Sequence, residues 1–336
     1  MGGINIRILA KELGLSISTV SKALKDSHEI SAITKQKVLA AARRLNYSPN
    51  PHASSLRRRR SKTVAVVLPE VADSFFSAAI NGIEAIAQVE GYHVLIYLTH
   101  ESHQREVSIL NELGNGRVDG VLLSVCGEGG SITHLQQFVS GNIPLVFFDR
   151  VCREVKAATV TTNDFESGML ATQHLLENGC RHIAYLSISD GLAIMNERMQ
   201  GYQQAMDLWS SKGTRSKILH CPADPQDTCN ALQKLLIAPD KLEGIVASAE
   251  KLITPVYQCC QAVGVKIPEQ LKVVSFSNLA TAPILKPALT TITQPAFEMG
   301  KAAAELLFKA LARKNFAIQD VHKVVPSQLV VRASSQ

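Results

Sequence analysis

Two stretches of this 336-residue chain set side chains where they could do chemistry, and in both cases that chemistry is non-covalent. The run "ISTVSKAL" (17–24) places the short hydroxyls Ser18, Thr19 and Ser21 just ahead of Lys22. Hydroxyls and an ammonium group on one helix face suit phosphate oxygens and base edges better than an apolar protein groove. The second stretch, "NPHASSLRRRRSK" (50–62), presses an apolar run ending at Leu56 against four arginines, Arg57 to Arg60. Four like charges repel one another and oppose local order, so on its own the run reads as a solvated linker.

Covalent catalysis has little to work with. There is no Walker loop, no G-x-S-x-G and no G-x-G-x-x-G, and scattered Ser, His and Asp residues do not make a triad. The seven cysteines (Cys126, Cys152, Cys180, Cys221, Cys229, Cys259, Cys260) are odd in number and hold no C-x-x-C pair, so they read as small core residues of a reduced protein. His100 and His103 are spaced as a potential metal pair but read better as an exposed pair opening a helix. No metal and no cofactor is expected.

The charge is divided along the chain. Residues 1–62 carry 13 Lys and Arg against 3 Asp and Glu, whereas the remainder carries 22 against 26. A short basic head on a faintly acidic body implies that the head alone meets a polyanion, with nucleic acid the leading candidate. No stretch resembles a membrane span or a signal peptide, and Ile6 stands where a myristoylation motif wants Ser or Thr. A cytoplasmic protein without a membrane partner is expected.

Three short helices should position the first group. Ile6, Leu9, Ala10 and Leu13 fall at helical spacing between the cap residues Asn5 and Gly14. After the turn Gly14-Leu15-Ser16, Ser16 caps a second helix that turns Val20, Ala23 and Leu24 inward. Ser31 caps a third, with Val38, Ala41, Ala42 and Leu45 as its buried stripe and Tyr47 closing the small core. Two short helices joined by a tight turn form a helix-turn-helix, whose second helix enters the major groove. Ile17, Ser18 and Lys22 would then set base preference.

From Thr63 onward, apolar strands alternate with amphipathic helices: "TVAVVLP", "YHVLIYLT", "VDGVLLSV", "PLVFFDR", "HIAYLSI", "KILHC", "GIVAS" and "LKVVSFS". Such alternation implies parallel sheets covered by helices, and the number of strands calls for two doubly wound lobes. Ligands in these folds collect at the carboxyl ends of strands, so a crevice between two lobes is the natural site.

The head "LAKELGLSISTVSKALKDSHEISAITKQKVLAAARRLNYSPNPHASSL" resembles that of the lactose/galactose-repressor family of bacterial transcription regulators. The body resembles the same family in "VDGVLL", "IPLVFFDR", "HLLENGCRHIAYLS", "ERMQGYQQAM", "LKVVSFSN" and "LKPALTTITQPAFEMGKAAAELL". The resemblance implies an all-α helix-turn-helix head (1–49), a hinge (50–62), and a two-lobed α/β body like a periplasmic binding protein (63–336). Lobe 1 would span about 63–161 and 292–320, and lobe 2 about 162–290 and 322–332, with crossings near Thr162, Thr291 and residue 322.

The resemblance also implies roles. Asn5, Ser16, Ile17, Ser18, Thr19, Ser21 and Lys22 would serve the helix-turn-helix contact with DNA. Asn50, Ala53, Leu56, Arg57 and Arg58 would belong to a hinge helix that folds when two subunits meet on an operator. Leu56 would wedge into a minor-groove base step while the arginines hold phosphates, which agrees with the physics of kinked DNA. A small-molecule effector would meet Phe75, Ser124, Asp149, Arg198, Ser277 and Gln294. Three departures stand out: Ala249-Glu250 replaces the usual Asn-Asp, Ser275 a common glycine, and Ser277 a frequent acidic residue. Losing Asn at position 249 removes a donor and an acceptor that commonly hold a sugar, which leaves open a different ligand or none.

A solute-binding transport protein would share the body but would need an export signal and has no use for the basic head. A homodimeric regulator of a palindromic operator, repressing transcription under a small polar metabolite, is the reading expected here. Only four residues follow "SQLVVR", and no heptad tail is present to join two dimers. If Leu56 is a wedge, Leu56→Ala should strongly weaken operator binding and leave random-sequence binding nearly unchanged in a gel-shift titration. Replacing Arg57 to Arg60 should weaken both and flatten the salt dependence by about 0.9 log unit per lost phosphate contact.

Overall fold

The computed structural model describes residues 4–47, 60–127, 130–141, 143–188, 191–222, 224–312 and 321–336. Two compact units, Met1–Ser61 and Lys62–Gln336, make up the chain. The hinge residues Asn50, Ala53, Leu56, Arg57 and Arg58 lie outside the described residues.

The head unit holds α1 (Ile6–Leu13), α2 (Ile17–Leu24) and α3 (Ala32–Arg44). Each begins at the cap that its sequence specifies. Asn5 Oδ1 accepts from the amides of Arg7 and Ile8 at 3.0 and 3.1 Å, and Ser16 Oγ from Thr19 N at 3.0 Å. Ser31 Oγ accepts from Thr34 N at 3.3 Å. These side chains satisfy donors that the first helical turn leaves unpaired. Gly14 ends α1 at φ 62°, a left-handed conformation that a Cβ would disfavour. Leu9, Val20 and Val38, one from each helix, are fully buried together with Ala10, Ala23, Ala41 and Ala42.

The body unit runs β1 (Thr63–Leu68), α4 (Ser74–Val89), β2 (His93–Leu98), α5 (His103–Leu113), β3 (Gly120–Leu123), α6 (Thr133–Ser140), β4 (Leu145–Phe148) and β5 (Ala158–Thr161). It continues with α7 (Asp164–Glu177), β6 (His182–Ser187), α8 (Ala193–Leu208), β7 (Arg215–His220), α9 (Pro225–Leu236), β8 (Gly244–Ala247), α10 (Ile253–Val263) and β9 (Lys272–Phe276). Then follow β10 (Thr290–Thr293), α11 (Ala296–Ala312), β11 (His322–Val324) and β12 (Gln328–Val330). The described strands form two six-stranded sheets, ordered β11-β5-β4-β3-β1-β2 and β12-β10-β9-β8-β6-β7. Pairing is parallel throughout except between β10 and β12. The central strands are buried over their whole length, as strands covered on both faces must be.

Two limits of the expected lobes shift. Residues 290–292 pair with β9 and Thr293 with β12 in the second sheet, so the chain leaves that lobe after Thr293 rather than before residue 292. Residues 322–324 pair with β5 in the first sheet, so the return crossing comes after Val324 and not near residue 322. The short strand "ATVT" escapes a reading by apolar runs because its two threonines break the run. It is a strand because β4 and β11 flank it.

Each lobe clamps two helices together through glycine. At Gly168 on α7 an added Cβ would stand 2.1 Å from the Arg198 carbonyl oxygen, and at Gly201 on α8 one would stand 2.0 Å from that of Phe165. Gly82 and Gly300 do the same for α4 and α11. This close approach fixes where the first turns of α7 and α8 lie, and with them Asp164 and Arg198. Gly201→Ala should therefore force the helices apart. Urea denaturation should show a loss of at least about 1–3 kcal/mol, the usual range for overpacking a filled interior.

Candidate effector cleft and nucleic-acid interface

Phe75, Asp149, Arg198, Ser277 and Gln294 line one cavity between the two lobes of the body. Ser124 is not part of that lining: it follows β3, is fully buried, and its amide donates to the Val67 carbonyl at 2.9 Å. The cavity is about 40 Å³. At roughly 10–15 Å³ per water, that is space for a few waters rather than a sugar, so a ligand must displace something.

Arg198 sits in the first turns of α8 and is only 3 % exposed. Its Nε donates to Asp164 Oδ1 at 2.7 Å and its Nη1 to the Ser248 carbonyl at 2.7 Å, while the guanidinium lies 4.2 Å from the centroid of the Phe276 ring. Burial acts against its charge, but the carboxylates of Asp164 and Asp149 outweigh that and raise its pKa above the ordinary value. Arg198 is thus a member of a buried ion pair, with two of its donors committed inside the protein.

Asp149 ends β4 in the left-handed region, at φ 60°. This conformation is uncommon for a side-chain-bearing residue and turns the carboxyl toward the cavity that it lines. Arg150 Nε lies 3.9 Å away. Arg150 Nη1 in turn donates to both oxygens of Glu101 at 2.9 Å. Burial pushes the Asp149 carboxyl up to about 7, against the pull of Arg150 and Arg198. Asp73 is raised as well, by burial first and then by the like charges of Glu250 and Glu70, although the Phe75 amide donates to it at 2.8 Å.

Glu250 is the residue that sequence reasoning did not place. Its Oε1 accepts from Ser74 Oγ at 2.7 Å and Ser74 N at 3.3 Å, both at the start of α4 in the first lobe. Its Oε2 accepts from Ser277 Oγ and Asn278 N, each at 3.0 Å, after β9 in the second lobe. One side chain therefore joins the lobes. The sequence signal was the Ala249-Glu250 departure itself: a longer acid beside Ser277, where relatives of the resembled family often carry the acid. Ala249 is buried against Leu192, Ile194 and Met195, which makes that wall apolar. Asp164, Asp73 and Asn278 were also missed, because nothing local marks them.

In the head, Ile17, Ser18 and Lys22 are exposed and Thr19 and Ser21 are partly so. At 100° per residue, Ile17, Ser18, Ser21 and Lys22 share an arc of about 140°, opposite the buried Val20 and Ala23. The Lys22 ammonium pairs with Glu29 beyond the end of α2. Asn5 and Ser16 spend their side-chain oxygens on helix caps, as already described. Elsewhere, His103 stands edge-on to His134 with ring centroids 5.0 Å apart, and His134 Nε2 lies 2.8 Å from Glu106 Oε1. Among the described residues no group of three or more His, Cys, Asp or Glu could hold a metal ion, and no helix is long and apolar enough to cross a membrane.

Comparison with known proteins agrees with both units. Residues 5–50 match the model of bacterial regulatory proteins of the lacI family, and residues 172–335 match a periplasmic binding protein-like domain. The chain belongs to the lacI family. It is similar to the ribose operon repressor of Halalkalibacterium halodurans, with 28% identity over 98% of this chain and 97% of the relative. The lac repressor dimer bound to operator and an anti-inducer shares the fold at a TM-score of 0.85, with 18% identity and 99% of each chain covered. A lacI-family regulator from Enterococcus faecium with bound ribose matches 81% of this chain and 98% of its own, at 25% identity and a TM-score of 0.71. This lacI-family protein is a DNA-binding transcription regulator with an effector-type body, and not an enzyme.

The Asp149 carboxyl gives this regulator a pH signature. Its folded-state pKa is raised, so the folded protein holds a proton that the unfolded chain has released. The associated stability is complete below about 3.8 and is lost as pH rises to about 7. Asp149→Asn carries no such loss. Its urea stability should gain on the parent by about 2–3 kcal/mol between pH 5 and pH 8, at roughly 1.4 kcal/mol per pH unit below 7. A pH-independent difference would mean that Asp149 is ionised throughout.

Proposed function

We propose that this chain is a cytoplasmic repressor that binds a palindromic operator as a homodimer. A small polar metabolite in the inter-lobe cleft would modulate it. The observation that carries this reading is the exposed face of α2. Ile17, Ser18 and Lys22 project from a capped helix-turn-helix within the first 62 residues, which carry 13 basic against 3 acidic side chains. One such helix spans only a few base pairs, so a twofold pair of heads on two half-sites is needed for a unique address. Binding would trade the Lys22–Glu29 ion pair for a base contact, at little cost because exposed pairs are weak.

The cleft supports the modulation. A carboxylate can accept hydrogen bonds from ligand hydroxyls, and a lobe-bridging group gives a ligand two unequal arrangements to choose between. Names among the relatives point to ribose, and the Ala249 wall gives the cavity one apolar side.

Selection of operators from a random pool tests the reading. Lys22→Ala should change the preferred half-site, because an ammonium group at a base edge discriminates among bases while a phosphate contact does not. A uniform weakening over all sequences would move Lys22 to the phosphates. Sedimentation of the full chain at micromolar concentration should show a dimer, and a monomer or stable tetramer would sink the twofold model.

A further inference from the structure

The cleft is rich in carboxylates, and two of the three cations on its lining are bound to acids outside it. Asp73, Asp149, Glu70 and Glu250 all line it. Arg150 binds Glu101 through Nη1 and keeps its Nε 3.9 Å from Asp149, Arg198 binds Asp164, and Lys251 is exposed. Glu250 is held by hydroxyl and amide donors rather than by a cation, taking Ser74 from one lobe and Ser277 and Asn278 from the other. Like charges crowd closely enough that Glu250 and Glu70 both push the Asp73 pKa upward.

A second, independent feature points to a ligand. Gln294 is 7 % exposed and lines the same cavity, yet its Nε2 has no hydrogen-bond partner among the described residues. Its backbone is fixed by Asn278, which donates to the Gln294 carbonyl at 2.6 Å and accepts from the Gln294 amide at 3.2 Å. A buried amide donor left unpaired costs free energy until an acceptor arrives.

We propose that the effector carries a protonated amine, received by Glu250, Asp73 and Asp149, together with an oxygen acceptor for the Gln294 amide. This rests on the cleft being the effector site and names the chemical class it takes: a small hydroxylated amine, of which an amino sugar is the simplest example. A neutral polyol would exclude water from these carboxylates without replacing it by positive charge, and an anion would add to the repulsion. An ammonium group inserted at Glu250 would also compete with Ser74 and Ser277 for the same two oxygens, so the ligand acts on a contact between the lobes. Its differential effect on the joined and separated arrangements is what makes it a switch.

The test is thermal unfolding and calorimetry of the full chain at constant ionic strength. The probes are methylammonium chloride and glucosamine, against sodium chloride, glucose and glucose 6-phosphate. Methylammonium should raise the Tm above the sodium control. Its half-maximal concentration should rise at least tenfold in Glu250→Gln and in Asp73→Asn, with both variants confirmed as folded by circular dichroism. Gln294→Leu should leave the methylammonium response intact and abolish any response to glucosamine beyond it. No response to methylammonium, or a response unchanged in both carboxylate variants, would overturn the amine assignment. Stabilisation by glucose or glucose 6-phosphate without methylammonium would overturn it too, while leaving the cleft as the effector site.

Discussion

The carboxylate of Glu250 is shared between two halves of a molecule that are otherwise separate hydrophobic cores. Each lobe buries its own sheet under its own helices, and the apolar clusters do not run from one to the other. What spans the cleft is polar: Glu250 takes Ser74 on one side and Ser277 and Asn278 on the other, and Arg153 of the first lobe pairs with Glu197 of the second. Hydrogen bonds such as these are individually worth only about 0.5–1.5 kcal/mol, or about 1.5–3 when one partner is charged. That scale suits a regulator, because a ligand can compete with it, whereas a continuous apolar seam between the lobes would not yield.

The Glu250 contact is only as well defined as the elements that present it. Glycine pairs press α4 against α11 in one lobe and α7 against α8 in the other. The first sets the start of α4 and thereby Ser74. The second sets Arg198 against Asp164, whose buried ion pair would be strongly destabilising if either partner were left alone. Arg198 then fastens α8 to the end of β8 through the Ser248 carbonyl, two residues before Glu250. Backbone contact between helices thus reaches the cleft through one guanidinium. The head depends on none of this, since its three helices carry their own caps and their own small core.

Much of the fold was legible in the residues. Helix caps are short-range: Asn5, Ser16 and Ser31 act on amides two or three positions away, so their sequence signals translate directly into structure. Six of the eight apolar strands were legible because burial on both faces demands continuous runs of Val, Ile and Leu, while β2 and β7 lie at sheet edges and keep their apolar runs although largely exposed. The strands "ATVT" and "HKV" were not, being too short or too polar to signal a strand and defined only by their neighbours. Placing residues 322–324 in the second lobe failed for the same reason, since partner choice at a sheet edge is decided in three dimensions.

The cleft divides in the same way. Its family-like residues Phe75, Asp149, Arg198, Ser277 and Gln294 stand in recognisable motifs, and the fold brings them to one cavity. Ser124 stands in such a motif too, but it is buried and does not line the cavity. The residues that decide what the cavity can accept were invisible, because their meaning lies in partners far off in the chain. Ser74 and Glu250 are 176 positions apart, and Asp164 and Arg198 are 34 apart. By itself the sequence determined a basic helical head, an alternating two-lobed body and the identity of the outward residues on α2, all from local spacing and charge. Only the tertiary structure decided that Glu250 finds partners in both lobes and that Arg198 is already paired, because both follow from which strand ends the folded sheets bring within hydrogen-bonding distance.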